Sequence, residues 1–106
     1  MIHGGAGTLE HIKREGHESE MIDSVHRILE GGRSILSKQG TALDAVEYCA
    51  VQLEDDPLYN AGRGSVLNEY GEVEMDAAIM DGATLQAGAV AGVTAIKNPM
   101  ELARHV

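Results

Sequence analysis

The sequence predicts a mixed α/β fold, and three observations support this. Apolar residues between positions 20 and 53 recur at helical spacing. Beyond Gly64 the period shortens to that of strands, with a turn signal at Glu69-Tyr70-Gly71. Residues 87–96 then form a nearly unbroken run of small and apolar side chains, the pattern of a strand buried on both faces. The expected order is strand, two helices, three strands and the start of a further helix.

Met1 and Ile2 read as the end of a strand, followed by the glycine loop His3-Gly4-Gly5-Ala6-Gly7. Residues 9–19 are polar and irregular, as in an exposed loop. In the first helix, over roughly residues 20–38, Met21, Ile22, Val25, Ile28, Leu29, Ile35 and Leu36 make one apolar stripe. Gly31 and Gly32 interrupt it at a cost on the order of 1 kcal/mol each relative to alanine, which marks a point of close packing. Gly40 suits a helix stop. Thr41 caps the second helix, and Asp44 places a carboxylate near its N-terminus. Ala42, Ala45, Val46, Cys49, Ala50 and Leu53 form its expected buried face, and Pro57 ends it. The short connection predicts an antiparallel helix pair. Residues 65–68 and 73–80 read as strands around the turn. Asn98-Pro99 opens the last helix, with Asn as cap, Pro at the first helical position and Glu101 completing a capping-box-like pattern.

The 106 residues hold at most one domain, read as a single incomplete one over residues 1–106. Eight basic and 17 acidic residues give a formal charge of −9, which argues against nucleic acid or an anionic membrane as partner. No apolar stretch is long enough to span a bilayer, and no basic-then-apolar leader opens the chain. A lone cysteine, Cys49, excludes an internal disulfide and fits the cytoplasm. Thirteen glycines, three tyrosines and no Phe or Trp predict close backbone packing and a small core. Such a core is marginal alone and is expected to pack against something further. The truncated first strand and the barely begun last helix both read as cuts.

The local chemistry is ambiguous. His3-Gly4-Gly5 is compatible with an oxyanion loop, but no G-x-S-x-G serine turn accompanies it. As a phosphate cradle it lacks the third glycine of a dinucleotide fingerprint; a plain turn after a strand fits as well. Asp55 and Asp56 sit at a helix end, Asp81-Gly82 in a turn, and Asp76 in a strand with backbone partners, so structural roles outweigh acid–base ones. His3, His11, His17, His26 and His105 show no metal-ligand spacing. Cys49, on an apolar helix face, reads as buried and inert.

Five segments in order are more specific. His3-Gly-Gly-Ala-Gly-Thr8, Leu53-Glu-Asp-Asp-Pro-Leu-Tyr-Asn-Ala-Gly-Arg-Gly-Ser-Val-Leu-Asn68, Glu74-Met-Asp-Ala-Ala-Ile-Met-Asp-Gly82, Ala87-Gly-Ala-Val-Ala-Gly-Val93 and Lys97-Asn-Pro-Met-Glu-Leu-Ala-Arg104 together resemble the plant-type L-asparaginase / isoaspartyl peptidase group of N-terminal-nucleophile hydrolases. The resemblance covers nearly the whole chain and matches the start of that family's α subunit.

It implies an αββα sandwich, of which this chain is a part, in a precursor that cuts itself at a Gly-Thr bond. The freed threonine is the nucleophile and its own amino group the base. The implied substrate is L-asparagine or a β-aspartyl peptide, and the implied assembly a dimer of αβ units, with the β subunit as partner. The family's Gly-Thr-Val-Gly-Ala nucleophile sequence is absent. Gly7-Thr8 and Gly40-Thr41 lack its context, and Thr84 precedes Gly88-Ala-Val-Ala91 by four residues and follows alanine. The chain alone is therefore expected to be silent, with no catalytic residue of its own. By resemblance, His3, Gly4, Gly5 and Asn60 belong to the active-site neighbourhood. Backbone carbonyls of Leu53, Glu54, Asp56, Tyr59, Ala61 and Arg63 would hold a structural Na⁺, with no organic cofactor. The alternatives are an aspartylglucosaminidase or taspase-like relative, and a non-catalytic interaction domain.

Overall fold

Two helices at the start of the fold pack antiparallel because glycines let them approach. In the computed structural model, which describes residues 1–6 and 16–106, α1 is Glu18–Ser37 and α2 is Ala42–Asp55. A Cβ at Gly32 would lie 2.6 Å from Cys49 Sγ, and one at Gly31 2.6 Å from Tyr48 Cζ. The two glycines thus form the expected packing point, and the helix propensity they forfeit is offset by the contact they permit. Ile28, Cys49 and Tyr59 make the centre of the core, with Ile2, Met21, Val25, Tyr48, Leu53 and Leu58 around it.

The connection between the helices is closed by backbone bonds. Gln39 N–H donates to the Leu36 carbonyl and Gly40 N–H to that of Ile35, 2.9 Å away, the double closure of a Schellman motif. The left-handed residue is Gln39 (φ 65°), not Gly40. Gly40 is needed instead for space, since a Cβ there would meet Ile35 Cγ2 at 2.5 Å. Thr41 and Asp44 then form a reciprocal capping box at 3.1 Å in each direction.

A 3-10 turn at Gly62–Gly64 leads to β1 (Met75–Met80) and β2 (Ala87–Val93), paired antiparallel, and α3 (Pro99–His105) packs on both strands. Met75 and Ile79 of β1 and Ala103 of α3 are buried between them. Ladder partners Met75↔Val93 and Ala77↔Val90 leave one extra residue on β2. The bulge is held by Gly92 (φ 63°), whose N–H donates to Asp76 Oδ1 at 2.8 Å.

Several expectations are corrected. Residues 1–2 form no strand; Ile2 packs on the helical core instead. Residues 65–68 form none either, because their amides are taken elsewhere: Val66 N–H by Asn60 Oδ1 and Asn68 N–H by the Glu72 carbonyl. The turn after them is real, with Gly71 at φ 79°. β2 is not covered on both faces: Gly88, Val90 and Val93 are half-buried, while Ala87, Ala89 and Ala91 are exposed. Likewise Ala42 and Val46 of the expected buried face are exposed, Val46 by 54%. Asp76 is exposed, and its backbone partner is the Gly92 N–H. Of the expected loop over residues 9–19, positions 9–15 lie outside the described residues, as do Gly7, Thr8 and His11.

Arg104 ties α3 to the start of α2, donating to Asp44 Oδ1 at 2.5 Å and to Glu47 Oε2. Hydrogen bonds from Arg104 first, then from Thr41, hold the Asp44 carboxyl down at about 2 against an ordinary 3.8. A carboxyl lowered by folding stabilises the fold above its ordinary value and loses that contribution as pH falls through the folded one. Acid unfolding of the protein should therefore steepen between about 3.8 and about 2, and Asp44→Asn should remove that part of the slope. Parallel acid limbs for the two proteins would contradict this.

Candidate active-site loop

Pro57 ends α2 and sets the path of the loop beyond it. Having no N–H, it gives nothing to the Leu53 carbonyl four residues back, and Leu58 N–H turns to Asp56 Oδ1 at 3.0 Å instead of the Glu54 carbonyl. The chain then folds back over the helix end. Gly62 (φ 51°) lies on Glu54, where a Cβ would meet Glu54 Cβ at 2.7 Å and clash with its carbonyl oxygen. Gly64 lies on the Pro57 and Tyr59 carbonyls in the same way. Both positions require glycine for space.

Three consecutive acids anchor this loop, two of them to residues 97–100 and the third to α1. Glu54, only 6% exposed, accepts from Asn98 Nδ2 at 3.1 Å and from Met100 N–H at 3.0 Å. Burial pushes its carboxyl up, opposed by those two hydrogen bonds. Asp55 pairs with Lys97 at 2.8 Å and also accepts from Asn98, which together hold its carboxyl low. Asp56 Oδ2 accepts from the buried Ser24 hydroxyl of α1 at 2.5 Å, with Arg27 at 3.6 Å. Asp55 and Asp56 are therefore structural, as expected, but as ties between elements and not only as a helix end.

Met100 N–H reaches Glu54 because Asn98 makes no side-chain cap of its own, contrary to expectation. Asn98 sits at the cap position with its side chain turned back to the two carboxylates, and Glu54 caps α3 from another helix. Glu54, Ser24, Lys97 and Asn98 as loop anchors were not foreseen from the sequence. Ser24 alone left a signal, as a hydroxyl among Met21, Val25 and Ile28 on the apolar stripe.

Of the expected site residues, Gly4 packs on Tyr59, which precedes Asn60 in the chain. A Cβ at Gly4 would lie 2.8 Å from the ring of Tyr59, the neighbour of Asn60, and Tyr59 is 3% exposed with its hydroxyl donating to the Met21 carbonyl. His3 Nδ1 accepts from Gly5 N–H at 3.0 Å, which assigns the ring proton of neutral His3 to Nε2. Gly5 is left-handed (φ 111°) with open space around it. Asn60 is exposed, and its Oδ1 accepts from Val66 N–H at 2.9 Å. That bond engages the amide oxygen and leaves the Asn60 NH₂ group as the donor. A cavity of about 260 Å³ opens at Asn60, lined also by Gly62, Val66, Glu74 and Asp76, whereas His3 lines a separate groove along Leu29, Cys49 and Leu53.

Among the described residues no group of three His, Cys, Asp or Glu could hold a metal. By contrast, the Leu53 and Glu54 carbonyls are left by Pro57 and Leu58. Those of Asp56, Tyr59 and Ala61 each accept one loop N–H, with a lone pair remaining. Cys49 is buried, and burial raises its thiol. The apolar environment keeps it inert.

Residues 1–106 match the asparaginase family over their full length, and the chain belongs to that family. It is 53% identical to a plant-type L-asparaginase of Pyrococcus furiosus and 51% identical to the human isoaspartyl peptidase/L-asparaginase. All of this chain aligns in both comparisons, against 33% of each relative. A plant-type L-asparaginase of Thermococcus kodakarensis is 52% identical over the same share. The chain thus spans about a third of the length of the curated relatives it matches.

Replacing Ser24 by Ala would leave the half-buried Asp56 carboxylate short of a hydrogen bond. Loss of about 1–3 kcal/mol is expected in urea unfolding of the protein, and a loss below about 0.5 kcal/mol, the usual range of surface changes, would show that the tie is idle.

Proposed function

We propose that this chain supplies the opening part of the α subunit of a threonine-nucleophile amidohydrolase that acts on L-asparagine and β-aspartyl peptides. The family membership and the activities for which its relatives are named support the reaction class. The observation that carries the reading at residue level is Asn60. Its oxygen is engaged by Val66, which leaves its NH₂ group as the donor at the cavity bordered by Gly62, Glu74 and Asp76.

On this reading the full fold is an αββα sandwich, and the β1–β2 hairpin with α1, α2 and α3 is part of it. The precursor cleaves itself before a threonine outside residues 1–106. The threonine hydroxyl attacks the side-chain amide carbon, its own α-amino group takes the proton and then delivers it to the leaving amine, and water releases the aspartyl product. Asn60 donates to the charge that develops near that nucleophile, and the His3-Gly4-Gly5 loop keeps the space beside it clear of side chains. Leu53, Glu54, Asp56, Tyr59, Ala61 and Arg63 would hold Na⁺ through their carbonyls. Such an ion supplies a fixed positive charge that stiffens the loop. The working protein is a cytoplasmic dimer of αβ units, and residues 1–106 alone, lacking the Gly-Thr-Val-Gly-Ala sequence, are silent.

The test is made on the full-length protein with a β-aspartyl dipeptide and with L-asparagine. Turnover and self-cleavage into two chains are expected, and Asn60→Ala should lower kcat by about 100-fold, the scale of a lost oxyanion donor. An Asn60→Ala enzyme with unchanged kcat, or appreciable turnover by residues 1–106 alone, would contradict the reading.

A further inference from the structure

We propose that the Glu54 side chain is a positioning residue for the Asn60 loop, through its grip on the start of α3. The inference rests on the amidohydrolase reading only where Asn60 acts on substrate; the geometry stands apart from it.

Glu54 faces two ways. On its backbone side it is the surface on which the loop returns, since Gly62 touches both its carbonyl and its Cβ. On its side-chain side both carboxylate oxygens are spoken for: Oε1 by Met100 N–H and Oε2 by Asn98 Nδ2. Asn98 is itself 5% exposed and bonds Asp55 as well, at 3.2 Å. Pro99 at the first helical position has no N–H, so Met100 offers the first free amide of α3, and Glu54 takes it.

The residue's two ends are therefore not independent. A rotation that freed the carboxylate from α3 would leave a buried charge unsatisfied, and one that kept it would hold Cα, Cβ and the carbonyl in place. Gly62 packs so closely on Glu54 that even a Cβ would clash there. Loop position and α3 docking thus form one unit, with Glu54 at the joint and Asn60 two residues from Gly62. A helix cap alone would need neither the burial nor the contact with Gly62. Sequence reading assigns Glu54 only a backbone carbonyl; here its side chain acquires the role.

Hydrogen exchange on the full-length protein, resolved at single amides, separates the two cases. The amides to follow are those of Ala61 and Gly64, bonded to loop carbonyls, of Val66, bonded to Asn60, and of Met100, bonded to Glu54. In Glu54→Ala, exchange at Gly64 and Val66 should accelerate together with Met100, by about tenfold or more. Glu54→Gln keeps the size and the bond to Met100 but turns a donor toward Asn98 Nδ2. It should fold even where the alanine variant does not, and accelerate the same loop amides by a smaller factor. kcat on a β-aspartyl dipeptide should fall in both variants with little change in KM.

Acceleration at Met100 with Gly64 and Val66 unchanged in both variants would overturn the proposal, leaving Glu54 a local cap. Because exchange needs no substrate, it decides this point even if the wild-type protein hydrolyses neither asparagine nor the dipeptide. That second result would sink the amidohydrolase reading separately.

Discussion

A carboxylate removed from water must find partners for both oxygens, or it unfolds the place where it sits. At Glu54 that requirement joins three parts of the fold: the last turn of α2, the loop that folds back through Gly62, and the first free amide of α3. Asp55 and Asp56 extend the same logic outward, one to Lys97 and Asn98, the other to Ser24 on α1. Three adjacent acids in a chain of net charge −9 would repel one another if left together in solvent. Here Glu54 and Asp55 are satisfied by residues 97–100, sharing Asn98, and Asp56 by Ser24 of α1.

The helical half and the hairpin half meet through few other groups. Arg104 with Asp44 and Glu47 is the second tie, and it lies at the opposite end of α2 from Glu54. α2 is thus fixed to α3 near both its ends, by a surface ion-pair cluster at one and a buried carboxylate at the other. What stays open is the outer face of β2 and the apolar groove along Leu29, Leu36 and Val46. On the proposed reading these surfaces receive the rest of a protein about three times as long.

Much of the fold was legible in the sequence because it rests on local chemistry. Helix periodicity, Thr41 with Asp44, the Gly31-Gly32 packing point and the Glu69-Tyr70-Gly71 turn all derive from neighbours within a few positions. The errors lie where groups outside an element compete for its backbone or for its capping side chain. Residues 65–68 have strand-like composition, but the carboxamide of Asn60 claims the Val66 amide first. Asn98 has the composition of a cap, yet two acids more than 40 residues away claim its side chain. For the candidate site, Gly4, Gly5 and Asn60 are named through resemblance alone. The anchors Glu54, Ser24 and Asn98 were not legible, since a polar residue on an apolar face signals burial without naming its partner.

Glu54 and Asn98 act as one buried unit that joins α2 to α3, and the rest of the loop depends on that joint. A double-mutant cycle of Glu54→Ala and Asn98→Ala, read by urea unfolding of the full-length protein, tests it most directly. Coupling of about 1–3 kcal/mol is expected for groups sharing one buried hydrogen-bond network. Additive effects, with coupling below about 0.5 kcal/mol, would contradict the account.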